Sequence, residues 1–306
     1  MGDENLILKM RLPFLAWFHL RSRPGPPYIV KCFSYNDIKR ATNGFRRVVE
    51  SSSRGAIYEA KFQNGRVAIV KEVKLSVCED LDLFYREVQI LGRLHHRHIA
   101  ALCGFSDGPK RFLVFENTEN GSLKEHLSDP LKTPLNWRTR LQIAIGISAA
   151  VEYLHFFCDP PIYNISISSS TIMLDESLIP KISDISLFSK AGTRVLLPGS
   201  SRCSKVCTNE VCKKMIFQLG LVILELVTGQ SSEKGGLDLI EWVREPNFSR
   251  SIHKMIDPDL GNNYDGRELN GLLNVARLCI DSVNKQRICT PQILWYLQKK
   301  IRITRS

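Results

Sequence analysis

Residues 159–186, DPPIYNISISSSTIMLDESLIPKISDIS, decide the fold of this 306-residue chain. Pro160 and Pro161 bound a turn, and a polar loop runs from Asn164 to Thr171. Ile172–Leu174 is short and apolar, as a buried strand is. A charged turn follows, then a second short strand over Lys181–Ser183, with Asp184 immediately after it. The pattern predicts a two-stranded hairpin that fixes one carboxylate at its end.

Length and composition set the outer bounds. A chain of this size buries a sizeable core, and 43% hydrophobic with 24% charged residues is ordinary for a globular protein. The formal charge of +11 favours acidic partners: an acidic protein face, anionic lipid or nucleic acid. Nucleic acid is disfavoured, because no helix-turn-helix, finger or aromatic stacking motif accompanies the charge. Nine cysteines without a CxxC pair or secretory signal are read as reduced thiols of a cytoplasmic protein. Neither Leu6–Leu20 nor Leu219–Val227 is long and clean enough to cross a membrane; Glu225 marks the second as a buried helix.

In chain order, residues 1–32 form a basic, proline-dotted lead, expected to be loosely ordered, with peripheral membrane contact as the alternative to a solvated tail. Ser34–Asp37 is a helix cap before Ile38–Asn43, and Gly44 ends that helix. Val48–Val73 alternates β-prone runs with turns, Asn64-Gly65 being a hairpin turn. Leu81–Leu94 is an amphipathic helix, and Ala100–Phe105 and Arg111–Phe115 are further strands. Glu116–Gly121 breaks the pattern as a hinge. Beyond it the chain turns helical: Ser122–Leu127, Trp137–Phe157, Met215–Gly229, Leu237–Val243, Leu269–Ser282 and Pro291–Ile301. The expected fold is α+β and bilobal. A small antiparallel sheet lobe with one helix spans residues 33–116, and a larger, mostly helical lobe spans 117–306.

Three stretches carry a family resemblance: the 159–186 segment, the phrase FSYNDIKRATNGF at 33–45, and VAIVK ending at Lys71. Together they resemble the plant receptor-like, Pelle-type protein kinases over roughly residues 33–300. In that family a His-Arg-Asp triplet, an Asn five residues past its Asp, and Asp-Phe-Gly are expected. Here those places hold Asn164-Ile165-Ser166, Thr171 and Asp184-Ile185-Ser186. The glycine-loop places hold Glu50, Ser52 and Gly55, one glycine of three. By resemblance, Lys71 and Glu87 are the phosphate-binding ion pair, Phe115 the gatekeeper and Glu116 the hinge.

The substitutions remove chemistry. Ser166 cannot accept a substrate proton as a carboxylate does, a loss of about 10²–10⁴ in rate. Ser168 stands in place of the loop lysine. Thr171 in place of Asn leaves Asp184 as half a metal site. Glu50 repels phosphate and Ser52 crowds it. The buried Asp that braces the catalytic loop in the family is replaced by Met215, and the paired Glu and Arg of the activation segment fall at Cys203 and Cys289. Between Lys181 and Ile216, seven Lys or Arg stand against Asp184 and Glu210. The resemblance therefore implies a degenerate receptor-like cytoplasmic kinase that binds ATP weakly and magnesium hardly at all. Its expected role is that of scaffold or allosteric partner of other kinases or receptor complexes at the inner face of the plasma membrane. Its docking surface would be the basic Lys181–Lys214 segment, with Arg194, Arg202 and Lys205 meeting an acidic or phosphorylated face. The alternative is a weakly active ATP-dependent Ser/Thr kinase.

Overall fold

Alternation of buried and half-buried residues along VAIVKEV (Val67–Val73) makes this run, β4, the centre of the smaller lobe. The computed structural model describes residues 30–52, 55–74, 81–159, 161–163, 165–185, 210–246, 248, 251–282 and 288–300. Around β4 the sheet is completed by β1 (Lys31–Cys32), β2 (Val48–Ser52), β3 (Gly55–Lys61), β5 (Leu102–Ser106) and β6 (Arg111–Glu116), in the order β1-β5-β6-β4-β3-β2. The sheet is antiparallel except for β1, which pairs parallel to β5. The sheet is thus mixed, and the last two residues of the expected loose lead, 31 and 32, form a strand.

The pleat sends successive β4 residues to opposite faces. Ala68 and Val70 turn outward with Tyr58, Phe112 and Val114 to meet Ile38 of α1 (Tyr35–Ala41). That helix carries the expected capping box: Asp37 N–H donates to Ser34 Oγ, and the Asp37 carboxylate reaches back to Ser34 N–H. The opposite face, with Leu113 and Phe115, joins the main core and covers α2 (Leu81–Leu91), which buries Phe84, Val88 and Leu91.

The larger lobe is built on α4 (Trp137–Glu152), which follows α3 (Leu123–Ser128). The expected single helix to Phe157 instead widens into a π-helical turn at Tyr153–Phe157. Next comes the hairpin β7 (Ile172–Leu174) and β8 (Pro180–Ile182), then α5 (Glu210–Thr228), α6 (Ser232–Arg244), α7 (Ile252–Met255), α8 (Gly266–Asp281) and α9 (Thr290–Lys300). Helix α5 is apolar and buried, as its sequence required, and Glu225 is held by Ser232 N–H at 2.6 Å. Gly220 permits the close approach of α5 to α8, since a Cβ there would lie 2.8 Å from that of Cys279. Cys32, Cys103, Cys158, Cys279 and Cys289 form no disulfide. Cys212 departs from the expectation of reduced thiols: it is disulfide-bonded, its partner lying outside the described residues. No described helix is long and apolar enough to cross a membrane.

Candidate functional site

The cleft between the lobes is roofed by the inner face of the sheet. Residues opposite each other in an antiparallel ladder share a face. Glu50 faces Ile57, Ile57 faces Lys71, and Lys71 faces Leu113, giving one row across four strands. The next row runs Glu59, Ile69, Phe115. Lys71 is therefore aimed into the cleft because Ala68, Val70 and Glu72 are committed to the outer face.

From below, the β7–β8 hairpin supplies the floor. Ile172 and Leu174 are fully buried in the larger lobe, so the pleat turns Met173 between them toward the cleft. Backbone bonds from Ala100 N–H to Ile182 O and from Ile182 N–H to His98 O, both 3.0 Å, strap this hairpin to the smaller lobe. The strap places Asp184 beneath Lys71, and Lys71 Nζ donates to Asp184 Oδ1 at 2.8 Å. Lys71 makes its ion pair there and not with Glu87, which differs from the expected pairing. Glu87 is nonetheless carried to the buried side of α2, 4% exposed beside Val88.

Hydroxyls close the loop on itself. Thr171 Oγ1 donates to Ser166 O at 2.8 Å and accepts from Ser168 N–H at 3.0 Å. Ser183 Oγ donates to Thr171 O at 2.9 Å, and Ser166 N–H donates to Asp184 O at 3.1 Å. Short hydroxyl side chains bond local backbone in this way, and here they fix the loop's shape. Thr171 is thus a strut of the loop's own backbone. Ser166 Oγ has no hydrogen-bond partner among the described residues.

Residues expected at the rim have structural employment. Gly55 has φ +136, and a Cβ there would collide with the Glu72 carbonyl, so this glycine is required by the sheet itself. Glu116 Oε1 accepts from Ala101 N–H at 2.9 Å and from Lys181 Nζ at 3.0 Å. Lys181 is therefore tied to the hinge and is no member of a basic docking face. Met215 is buried, as a residue replacing an internal strut should be, and Cys289 N–H donates to Gln292 Oε1 at 2.9 Å at the start of α9. Asn164, Ser186, Arg194, Arg202, Cys203 and Lys205 lie outside the described residues, and so do those parts of the glycine-loop and docking readings that rest on the Ser52 side chain and on 186–209.

Among the described residues, the ammonium aimed into the cleft, that of Lys71, is paired with Asp184, Glu50 sits on the same row at the rim, and Thr171 bonds the loop's own backbone. No described group of His, Cys, Asp and Glu has the arrangement to hold a metal ion.

Sequence reasoning missed two features that hold the floor in place. Arg140, 1% exposed, donates to Asp257 Oδ2 at 2.7 Å and to the carbonyls of Leu135 and Leu226. His98 meets Pro180 O at 3.0 Å, and burial pulls its imidazole down to about 4. Arg140 lies on the buried stripe of α4, between Trp137 and Ala144, and its phase in the helical repeat was the available signal.

Comparison with known proteins agrees with the bilobal fold. The sequence model for protein tyrosine and serine/threonine kinases matches residues 44–224. A probable receptor-like protein kinase of Arabidopsis thaliana is 38% identical over 280 residues, covering 86% of this chain and 42% of the relative. The probable serine/threonine-protein kinase PBL7 of the same plant is 31% identical, with 85% of this chain and 75% of that one aligned. The chain thus spans less than half the length of the receptor relative. Among solved structures, the pseudokinase domain of BIR2, an immune regulator of the RLK/Pelle family, superposes with a TM-score of 0.73 at 27% identity, covering 87% of this chain and 84% of that one. The chain belongs to the protein kinase family, among its plant receptor-like, Pelle-type members, with degenerate catalytic motifs.

Proposed function

We propose that the chain acts by binding and not by phosphoryl transfer: a pseudokinase serving as scaffold or allosteric partner in receptor-kinase complexes. One observation carries this reading: Lys71 and Asp184 satisfy each other across the cleft while Ser166 and Thr171 supply neither base nor metal ligand. Phosphoryl transfer is achieved by positioning and charge neutralisation. Here the cation is spent on a carboxylate of the same chain. The likeness to an immune regulator's pseudokinase domain supports receptor kinases as partners and the inner face of the plasma membrane as the place of work. ATP, where it binds, binds weakly and gains nothing from magnesium.

A second reading, a weakly active Ser/Thr kinase, is favoured by the presence of both Lys71 and Asp184 and by relatives named as kinases. The two readings separate in cells lacking the chain. Reintroduced Lys71→Met, checked for an unchanged melting temperature, is expected to restore the lost phenotype as fully as the original sequence. A well-folded Lys71→Met that restores nothing would favour the enzyme.

A further inference from the structure

We infer that the outer face of the smaller lobe, around α1, is the surface by which this chain docks on an anionic lipid bilayer. The inference rests on the membrane placement proposed above and names the face that makes it. It is independent of whether the chain transfers phosphate.

Charge is spread unevenly along the chain. Residues 30–74 hold ten Lys or Arg against four Asp or Glu, whereas residues 210–300 hold twelve against eleven. The surplus of the smaller lobe gathers around α1. Ile38 and Ala41 are buried against the sheet, so the helical repeat sends Lys39 and Arg40 away from it. At one end of the helix, Lys31 lies over the Phe33 ring at 4.8 Å and Phe33 stacks on Phe62, also at 4.8 Å. Phe62 N–H bonds Arg66 O, which brings Arg66 to the same edge. At the other end, exposed Arg46 follows Phe45, whose ring packs on the outer cluster.

The acids on this side are already engaged. Asp37 holds Arg40 at 2.7 Å, Glu59 meets Arg47 at 3.4 Å, and Glu72 takes Lys110 at 2.9 Å. Lys31, Lys39, Arg46 and Arg66 are exposed and have no acidic partner among the described residues. Each such cation near an anionic leaflet is worth about fivefold in binding.

Two features favour a bilayer over an acidic protein face. The half-buried Phe33–Phe62 stack beneath Lys31 sets apolar ring beside cation, the combination suited to the headgroup level. The sequence leading into β1 has the same character, with Lys9, Arg11, Arg21 and Arg23 among Phe14, Trp17 and Phe18. It joins the described chain at Val30, directly before Lys31. A basic, aromatic segment and a basic face linked without a spacer reinforce each other as two tethered sites do.

The test is co-sedimentation of the full chain with vesicles of phosphatidylcholine alone, and with vesicles in which one lipid in five is phosphatidylserine. Binding is expected to the anionic vesicles only, falling steeply as salt rises. The Lys39→Gln, Arg46→Gln, Arg66→Gln variant should bind about a hundredfold more weakly at an unchanged melting temperature. The Lys254→Gln, Arg267→Gln, Lys299→Gln variant, with the same net charge but altered in the larger lobe, should bind as the original does. No binding to anionic vesicles, or equal binding to neutral ones, overturns the inference. So does full binding by the first variant, which would leave residues 1–29 as the whole anchor, or an equal loss in the second, which would make net charge the cause. None of these outcomes touches the choice between scaffold and kinase, which phosphate transfer decides.

Discussion

Arg140→Leu is expected to lower folding stability by about 3–5 kcal/mol, the cost of leaving one member of a buried ion pair alone. Arg140 joins three parts of the larger lobe: its own helix start at Leu135 O (2.8 Å), the end of α5 at Leu226 O (3.0 Å) and Asp257 at 2.7 Å. Asp257 is itself pinned, its N–H donating to Val227 O and its Oδ1 accepting from Asp259 N–H. Gly229, at φ +68, leaves room for that carboxylate, so Asp257 cannot swing out to water without moving the α5 terminus. The Arg140→Leu, Asp257→Leu double variant removes both charges and is expected to lose less than the two single losses added. Urea denaturation at fixed pH measures all three. A single-variant loss below about 1 kcal/mol would show that the pair is dispensable.

Mild acid is the second large effect. His98 and His155 are both held near 4, each chiefly by burial, with Arg97, Lys181 and His96 adding to the depression at His98. His155 is buried against Thr290 Oγ1 at 3.2 Å. In the unfolded chain both protonate near 6.5. The unfolded state therefore takes up protons first: stability is fully present above about pH 6.5 and is lost as pH falls toward 4. The limit is about 3 kcal/mol for His155 and less for the half-buried His98. Asp37 and Asp265, whose carboxyls are lowered chiefly by hydrogen bonds from Ser34 and from the Glu268 backbone, act in the same direction only at lower pH. The melting temperature should fall steadily between pH 7 and 4.5. In His98→Gln, His155→Gln the starting value is lower but the slope shallower. An equal slope in the double variant would move the cause elsewhere.

Local signals made most of the fold legible. The Ser34–Asp37 capping box, the turn at Gly65 with φ +79, the alternation of Val67–Val73 and the 3.6-residue stripe of Trp137–Glu152 all act within a few residues. β1 was hidden because two residues have no periodicity, and its pairing partner lies some seventy positions on, at Gly104 and Phe105. The candidate site divides in the same way. The losses at Ser166 and Thr171 could be read by their place in the motif. The choice of Lys71 for Asp184 over Glu87, and of Lys181 for Glu116, depends on how the lobes meet across 113 and 65 residues of chain. Counting charge along the segment put Lys181 in a basic face because composition carries no direction.

Transfer of labelled phosphate bears most directly on the central claim. Purified chain is incubated with γ-labelled ATP, magnesium or manganese, and a generic Ser/Thr substrate. Incorporation into itself and into the substrate is expected to stay at background. Ser166→Asp alone should not raise it, since Thr171 still serves the loop and Lys71 still faces Asp184. Label that accumulates in the original sequence and disappears in Lys71→Ala would contradict the account.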